Sequence, residues 1–141
     1  MLGIQLISAL LLAVTAAHAE PLANDVAGRY WLPDRDGQIE IALRDGRYFG
    51  TVVAYDEPDQ LDELNPDPQL QARTILGLDL FESFRFDGEE RWVGGTIYDA
   101  RSGSTYDCEM WFEGSDRSLL WARGYVGIPL FGRTESFERV P

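Results

Sequence analysis

The eighteen residues 56–73, DEPDQLDELNPDPQLQAR, gather six carboxylates and three prolines into one stretch. Carboxylates at that density suggest two chemistries: hard oxygen ligands for calcium, and the acid and base pair of a glycosidase. The spacing argues against calcium. An EF-hand loop needs ligands at alternate positions, a glycine at its turn and a glutamate at its twelfth position, and this stretch holds no glycine. Acid and base pairs carry little weight either, because a chain of formal net charge −12 brings carboxylates together by chance. No catalytic residue and no metal ligand is assigned.

The rest of the chain removes most other chemistry. His18 is the only histidine, lysine is absent, and all 12 basic residues are arginines. A Ser-His-Asp or Cys-His arrangement, an imidazole base, a zinc or copper site of the usual kind and a lysine Schiff base are thereby excluded once the N-terminus is removed. Cys108 stands alone, so it cannot form a disulfide within the chain. No glycine-rich phosphate loop is present and no cofactor is expected. The strong negative charge makes nucleic acid and anionic membrane surfaces poor partners.

The N-terminus reads MLGIQLISALLLAVTAAHAE, an apolar run over 4–14 followed by the small residues of Ala17-His18-Ala19. That is the pattern of a secretory signal peptide, and the run falls short of the roughly 20 residues a spanning helix needs. Cleavage after Ala19 is expected. Residues 20–141 then form a single domain with no integral membrane segment, periplasmic or secreted.

Eight short runs follow at close intervals: 26–32, 38–44, 47–55, 79–86, 91–98, 104–113, 118–125 and 132–140. Asp45-Gly46 and Asp87-Gly88 are hairpin turns between them, and nothing reads as a long amphipathic helix. Alternation is clearest in 104–113, where Tyr106, Cys108, Met110 and Phe112 share one face, so Cys108 is expected to be a buried, inert thiol. Ile39, Ile41 and Leu43 form the core side of 38–44, and Gly94-Gly95 marks a bend or a close backbone approach. The pattern predicts an all-β fold, an eight-stranded antiparallel up-and-down barrel with one long connection between strands three and four; an eight-stranded sandwich is the alternative.

Several strings resemble the DUF2147 family of exported bacterial proteins, which has no assigned activity. They are Gly28-Arg29-Tyr30-Trp31, Asn65-Pro66-Asp67 with Ile75-Leu76-Gly77-Leu78, Gly94-Gly95-Thr96-Ile97-Tyr98-Asp99, and the run from Arg123 to Thr134, RGYVGIPLFGRT. The resemblance implies a lipocalin-like barrel. In such proteins Gly-x-Trp often opens the first strand, its tryptophan closing the floor under an arginine from the last. Here Tyr30 stands in that position and Trp31 follows, so either side chain can face inward, and either Arg133 or Arg139 can be the cap.

Three candidate sites follow. An interior pocket would be lined by Glu82, Phe84, Tyr106, Met110 and Phe112, Glu82 being carried inward with Leu80, Phe84 and Phe86 or else lying in solvent at a barrel end. The apolar loop with Tyr125, Ile128, Leu130 and Phe131 either plugs one end or offers a patch to a partner. The acidic connection would act as a lid, with Leu61, Leu64 and Leu70 packing down and Asn65 starting a turn. The leading expectation is a non-enzymatic protein that binds a small, partly apolar ligand in a barrel mouth. Its rival is a filled barrel that contacts a protein partner or a second copy of itself.

Overall fold

The computed structural model describes residues 3–5, 9–12, 19–128 and 132–141. A 3-10 turn, Ala23–Val26, precedes eight strands: β1 Gly28–Trp31, β2 Gly37–Arg44, β3 Arg47–Tyr55, β4 Asp79–Phe86, β5 Arg91–Asp99, β6 Ser104–Phe112, β7 Leu119–Tyr125 and β8 Arg133–Glu138. Each strand pairs antiparallel with the next, in the order β1 to β8. The strip closes on itself near its termini, where Tyr30 bridges Arg139 and the Val140 N–H donates to the Arg29 carbonyl at 2.8 Å. Eight strands in sequence order, joined first to last, make a barrel and not a sandwich.

The two ends of the barrel differ. The 3-10 turn, the β2–β3 hairpin and the C-terminal end of β8 lie at one end, the floor. The connections 32–36, 56–78 and 100–103 gather at the other, the mouth, with residues 126–128 and 132.

Period-two burial holds along most strands. Cys108, Met110 and Phe112 point inward from β6, and Ile39 and Ile41 from β2. Leu43 continues the inward phase of β2 but is 55% exposed, contrary to its expected place in the core, because the strand runs past the barrel wall into the tight hairpin with β3.

The phase breaks in β4. Ser83 sits at φ 63°, and the β3–β4 ladder shifts register between Tyr48 and Gly50 and again between Gly50 and Thr51. The extra residue turns Phe81 and Phe84 inward and leaves Glu82 exposed, so Glu82 does not reach the interior. Across the ladder, Gly94 at φ 74° makes the matching irregularity in β5, and the Phe84 ring lies directly where a side chain on Gly95 would stand. The glycine pair thus gives both the bend and the close approach.

Aromatic rings fill the lower barrel. Trp92 packs against Phe86 and Phe112 with ring centroids 4.9 and 5.6 Å apart, and Phe81 meets Phe84 and Phe137 edge-on at 5.8 and 5.2 Å. The Trp92 indole N–H reaches the Ala23 carbonyl at 2.9 Å, which fastens the 3-10 turn beneath the core.

Candidate functional site: the barrel mouth

Above Phe81 and Phe137 the barrel is not filled. A cavity of about 470 Å³ opens toward the mouth. Its walls come from several strands: Ile39 of β2, Leu80 and Phe81 of β4, Ile97 of β5, Ala122 of β7 and Phe137 of β8. Small residues on β7 make the room: Ala122 and Gly124 occupy successive inward positions, and a side chain on Gly124 would press on Ile97 and Tyr106. Four tyrosines, Tyr55, Tyr98, Tyr106 and Tyr125, also line this space.

The rim is charged. Asp34, Asp36, Asp99 and Glu135 stand there with Arg101 and Arg133. Arg101 pairs with Asp34 and, at 3.4 Å, with Asp99; Arg133 reaches Glu135 at 3.3 Å. Burial pushes the Tyr55 phenol above its ordinary range, and the carboxylates of Asp36, Glu57 and Asp56 push it further against the opposing pull of Arg101. Burial and then Asp107 and Glu109 do the same to Tyr125. The local field is negative.

The acidic connection frames one side of this mouth, held in a way its leucines do not explain. Leu61, Leu64 and Leu70 remain exposed, Leu64 at 57%, and do not pack down as a lid would require. Asp62 does, at 0% exposure. Its carboxylate accepts from Asn65 Nδ2 at 2.9 Å, from Arg73 Nε and Nη2 at 3.2 and 3.1 Å, and from the Tyr98 hydroxyl at 2.5 Å. A buried charge is tolerable only when paired and hydrogen-bonded, and this one is both. Asn65, largely buried, returns a turn through its side-chain oxygen to the Asp67 N–H at 2.8 Å. Ile75 and Leu78 supply the apolar anchors at the end of the connection. Among the described residues no group of three or more His, Cys, Asp or Glu side chains could hold a metal ion.

The other sequence-predicted residues divide by height. Of the proposed pocket set only Tyr106 lines the cavity; Phe84, Met110 and Phe112 are packed below it, and Glu82 is outside. Tyr30, not Trp31, faces inward, fully buried, and its hydroxyl donates to the Val26 carbonyl at 2.9 Å. Trp31 turns outward under the Arg35 guanidinium at 4.9 Å. Arg139 caps the floor, its guanidinium carbon 4.8 Å from the Tyr30 ring centroid, whereas Arg133 stands at the opposite end, on the rim. Tyr125 lines the cavity and Ile128 is half exposed; Leu130 and Phe131 lie outside the described residues.

Sequence reasoning missed Asp36, Tyr55, Tyr98, Ala122 and Asp62. The Asp62 and Asn65 pair, three residues apart before a proline, was the one local signal available.

Cys108 plays no part at the mouth. It is buried in the wall, and burial pushes its thiol from an ordinary value near 9 up to about 12, with Glu109 adding to the rise. A raised folded-state value means that stability is fully present below about pH 9 and is lost as pH climbs toward about 12. Between pH 8 and 10 the urea midpoint should fall in the native protein and fall less in Cys108→Ala, the difference approaching about 1.4 kcal/mol per pH unit. Native protein should also resist an aromatic disulfide reagent until denatured. Equal slopes, or rapid native labelling, would count against a buried thiol.

An eight-stranded antiparallel barrel with a 3-10 turn under an arginine-capped floor and an open cavity at the other end defines a lipocalin-like protein. The chain belongs to the DUF2147 family, described as "Uncharacterized protein conserved in bacteria", whose model matches residues 28–139. Among solved structures it is similar to protein HP1028 from the human pathogen Helicobacter pylori, described as belonging to the lipocalin family. The two share 21% identity and a TM-score of 0.69, over 82% of this chain and 83% of that one. No curated protein matches the chain. No helix among the described residues is long and apolar enough to cross a membrane.

Proposed function

We propose that the protein binds a small, partly apolar ligand in the barrel mouth and that it works outside the cytoplasm. The carrying observation is the cavity of about 470 Å³, its lining mainly apolar and aromatic with a few charged groups at the rim. That volume lies within the roughly 300–1,000 Å³ typical of small-molecule sites, and the division into apolar walls and a few convergent polar groups is the usual one. Export rests on the N-terminal pattern; sequencing the exported chain from its N-terminus should begin at Glu20.

Filling the cavity tests the binding reading. Ala122 is 2% exposed on the cavity wall, and Ala122→Trp places an indole into the space. The neutral dye N-phenyl-1-naphthylamine should gain fluorescence and saturate with the native protein. The variant, checked for native circular dichroism, should lose at least about tenfold in affinity. A dye response that never saturates, or one that survives Ala122→Trp, would sink the reading.

The exposed Val126 and Ile128 beside the mouth favour a second reading, in which this loop docks on a protein partner or a second copy. Sedimentation and native mass spectrometry of endogenous material separate the two: a bound small molecule on a monomer supports the first, an empty dimer the second.

A further inference from the structure

We propose that the cavity selects an organic cation, an apolar body carrying an amine or quaternary ammonium head, with Asp36 as the counter-ion. The inference rests on the reading that the mouth binds a ligand. Two independent features of the rim carry it.

The first is how the charges are committed. Four carboxylates line the cavity against two guanidinium groups. Arg101 is already held by Asp34 and Asp99, and Arg133 by Glu135. Nearby Arg35 is drawn away to Glu138 at 2.7 Å. Asp36 alone of the four has no ion pair, and among the described residues its carboxylate has no hydrogen bond. Residues 129–131 are Pro, Leu and Phe and bring no charge to the connection they belong to. An incoming anion would therefore face like charge without a spare cation to receive it, whereas an incoming cation finds a carboxylate that is only partly exposed and otherwise unmatched.

The second is the aromatic wall. Tyr55, Tyr98, Tyr106 and Tyr125 contribute to the same cavity, and ring faces attract cations, quaternary ammonium groups above all. The Tyr98 hydroxyl is committed to Asp62 and is not free to receive an anion. Gly37, the residue after Asp36, pairs with Tyr55 across the β2–β3 ladder with the Tyr55 ring against it, and Asp36 and Tyr55 both line the cavity. That pairing of carboxylate and ring suits an alkylated ammonium and repels a fatty acid.

Calorimetric titration with three ten-carbon probes below their micellar concentrations tests this: decyltrimethylammonium, 1-decanol and decanoate. The cation should bind at least about tenfold tighter than decanoate, with decanol between them. Asp36→Asn should weaken the cation about three- to tenfold and leave decanol unchanged. Asp59→Asn, which removes an exposed carboxylate of the connection away from the cavity, should alter neither. Decanoate matching the cation, or Asp36→Asn and Asp59→Asn weakening it equally, would overturn the inference while saturable decanol binding kept the mouth reading intact. No saturable binding by any probe would overturn both.

Discussion

Replacing Arg139 with alanine should cost about 3–4 kcal/mol of stability and lower the melting temperature by roughly 10–20 °C. Three backbone carbonyls depend on this one guanidinium: Arg117 at 2.8 Å from Nε, Ala27 at 3.0 Å from Nη1 and Asp25 at 2.6 Å from Nη2. They come from the β6–β7 connection and from the segment before β1, two parts of the chain that the Arg117 side chain also joins, through Asp25 at 3.2 Å and the Ala19 carbonyl at 3.0 Å. The same group lies over Tyr30 and near Phe112, at 4.8 and 5.8 Å from their ring centroids. Gly28 is part of this arrangement: a side chain there would collide with the Arg139 guanidinium, which explains why the first strand opens on glycine. Charge alone does not reproduce the fork, so Arg139→Lys should recover only about half the loss. Arg133→Ala is the comparison. With its side chain 85% exposed and paired only to Glu135, it should change stability by no more than about 0.5 kcal/mol. A melting temperature for Arg139→Ala within about 2 °C of the native value would show that the other ties of the floor, Trp92 to Ala23, Tyr30 to Val26 and Arg117 to Asp25, hold it without this guanidinium.

Asp62→Ala should be nearly as severe, about 2–4 kcal/mol, and its signature should be local first. Removing the carboxylate strands the Tyr98 hydroxyl, the Asn65 amide and the Arg73 guanidinium together. Leaving the buried Asn65 amide and the half-buried Tyr98 hydroxyl without an acceptor costs more than the net worth of the bonds themselves. The connection has other ties, including the Leu61 to Thr74 bridge and the Val52 N–H donating to the Leu78 carbonyl at 2.8 Å. Amide exchange should therefore accelerate across 60–75 by at least about tenfold while β5 to β7 keep their protection. Tyr98→Phe removes one donor and leaves the acid paired to Arg73, so its cost should stay near about 1 kcal/mol. Uniform acceleration across the whole barrel in Asp62→Ala would show that the connection and the barrel open as one unit.

These two residues mark how far local pattern carries. Strand number, order and the inward face of β6 are legible because alternation repeats every two residues and Asp-Gly turns punctuate it. The phase of β4 is not, since one residue at positive φ, Ser83, reverses it, and no serine announces that conformation. Alternation carried across that point turns Glu82 inward, whereas the alternative reading, Glu82 in solvent, matches its exposure. The connection misled for a different reason. Leucines are the residues expected to seek cover, yet a carboxylate with four donors around it can be buried more completely than any of them, and those donors, Tyr98 most of all, are distant in sequence. The cavity was invisible on similar grounds, because its space depends on small residues, Ala122 and Gly124, and on Gly124 being set against the distant Ile97 and Tyr106.

The single bridge between Tyr30 and Arg139 has a consequence for life in a crowded compartment. Seven ladders and one bridge make a strip that is clasped, not sealed, so β1 and β8 retain outer rows of backbone donors and acceptors along most of their length. Such rows are where a stray strand from another chain can add itself. Two features make that recruitment unrewarding here. β1 is only four residues long, and the clasp line is studded with charge, from Arg29 with Glu40 to Arg35 reaching across to Glu138. Brevity and salt pairs protect, along this one line, what hydrogen bonds protect everywhere else around the wall.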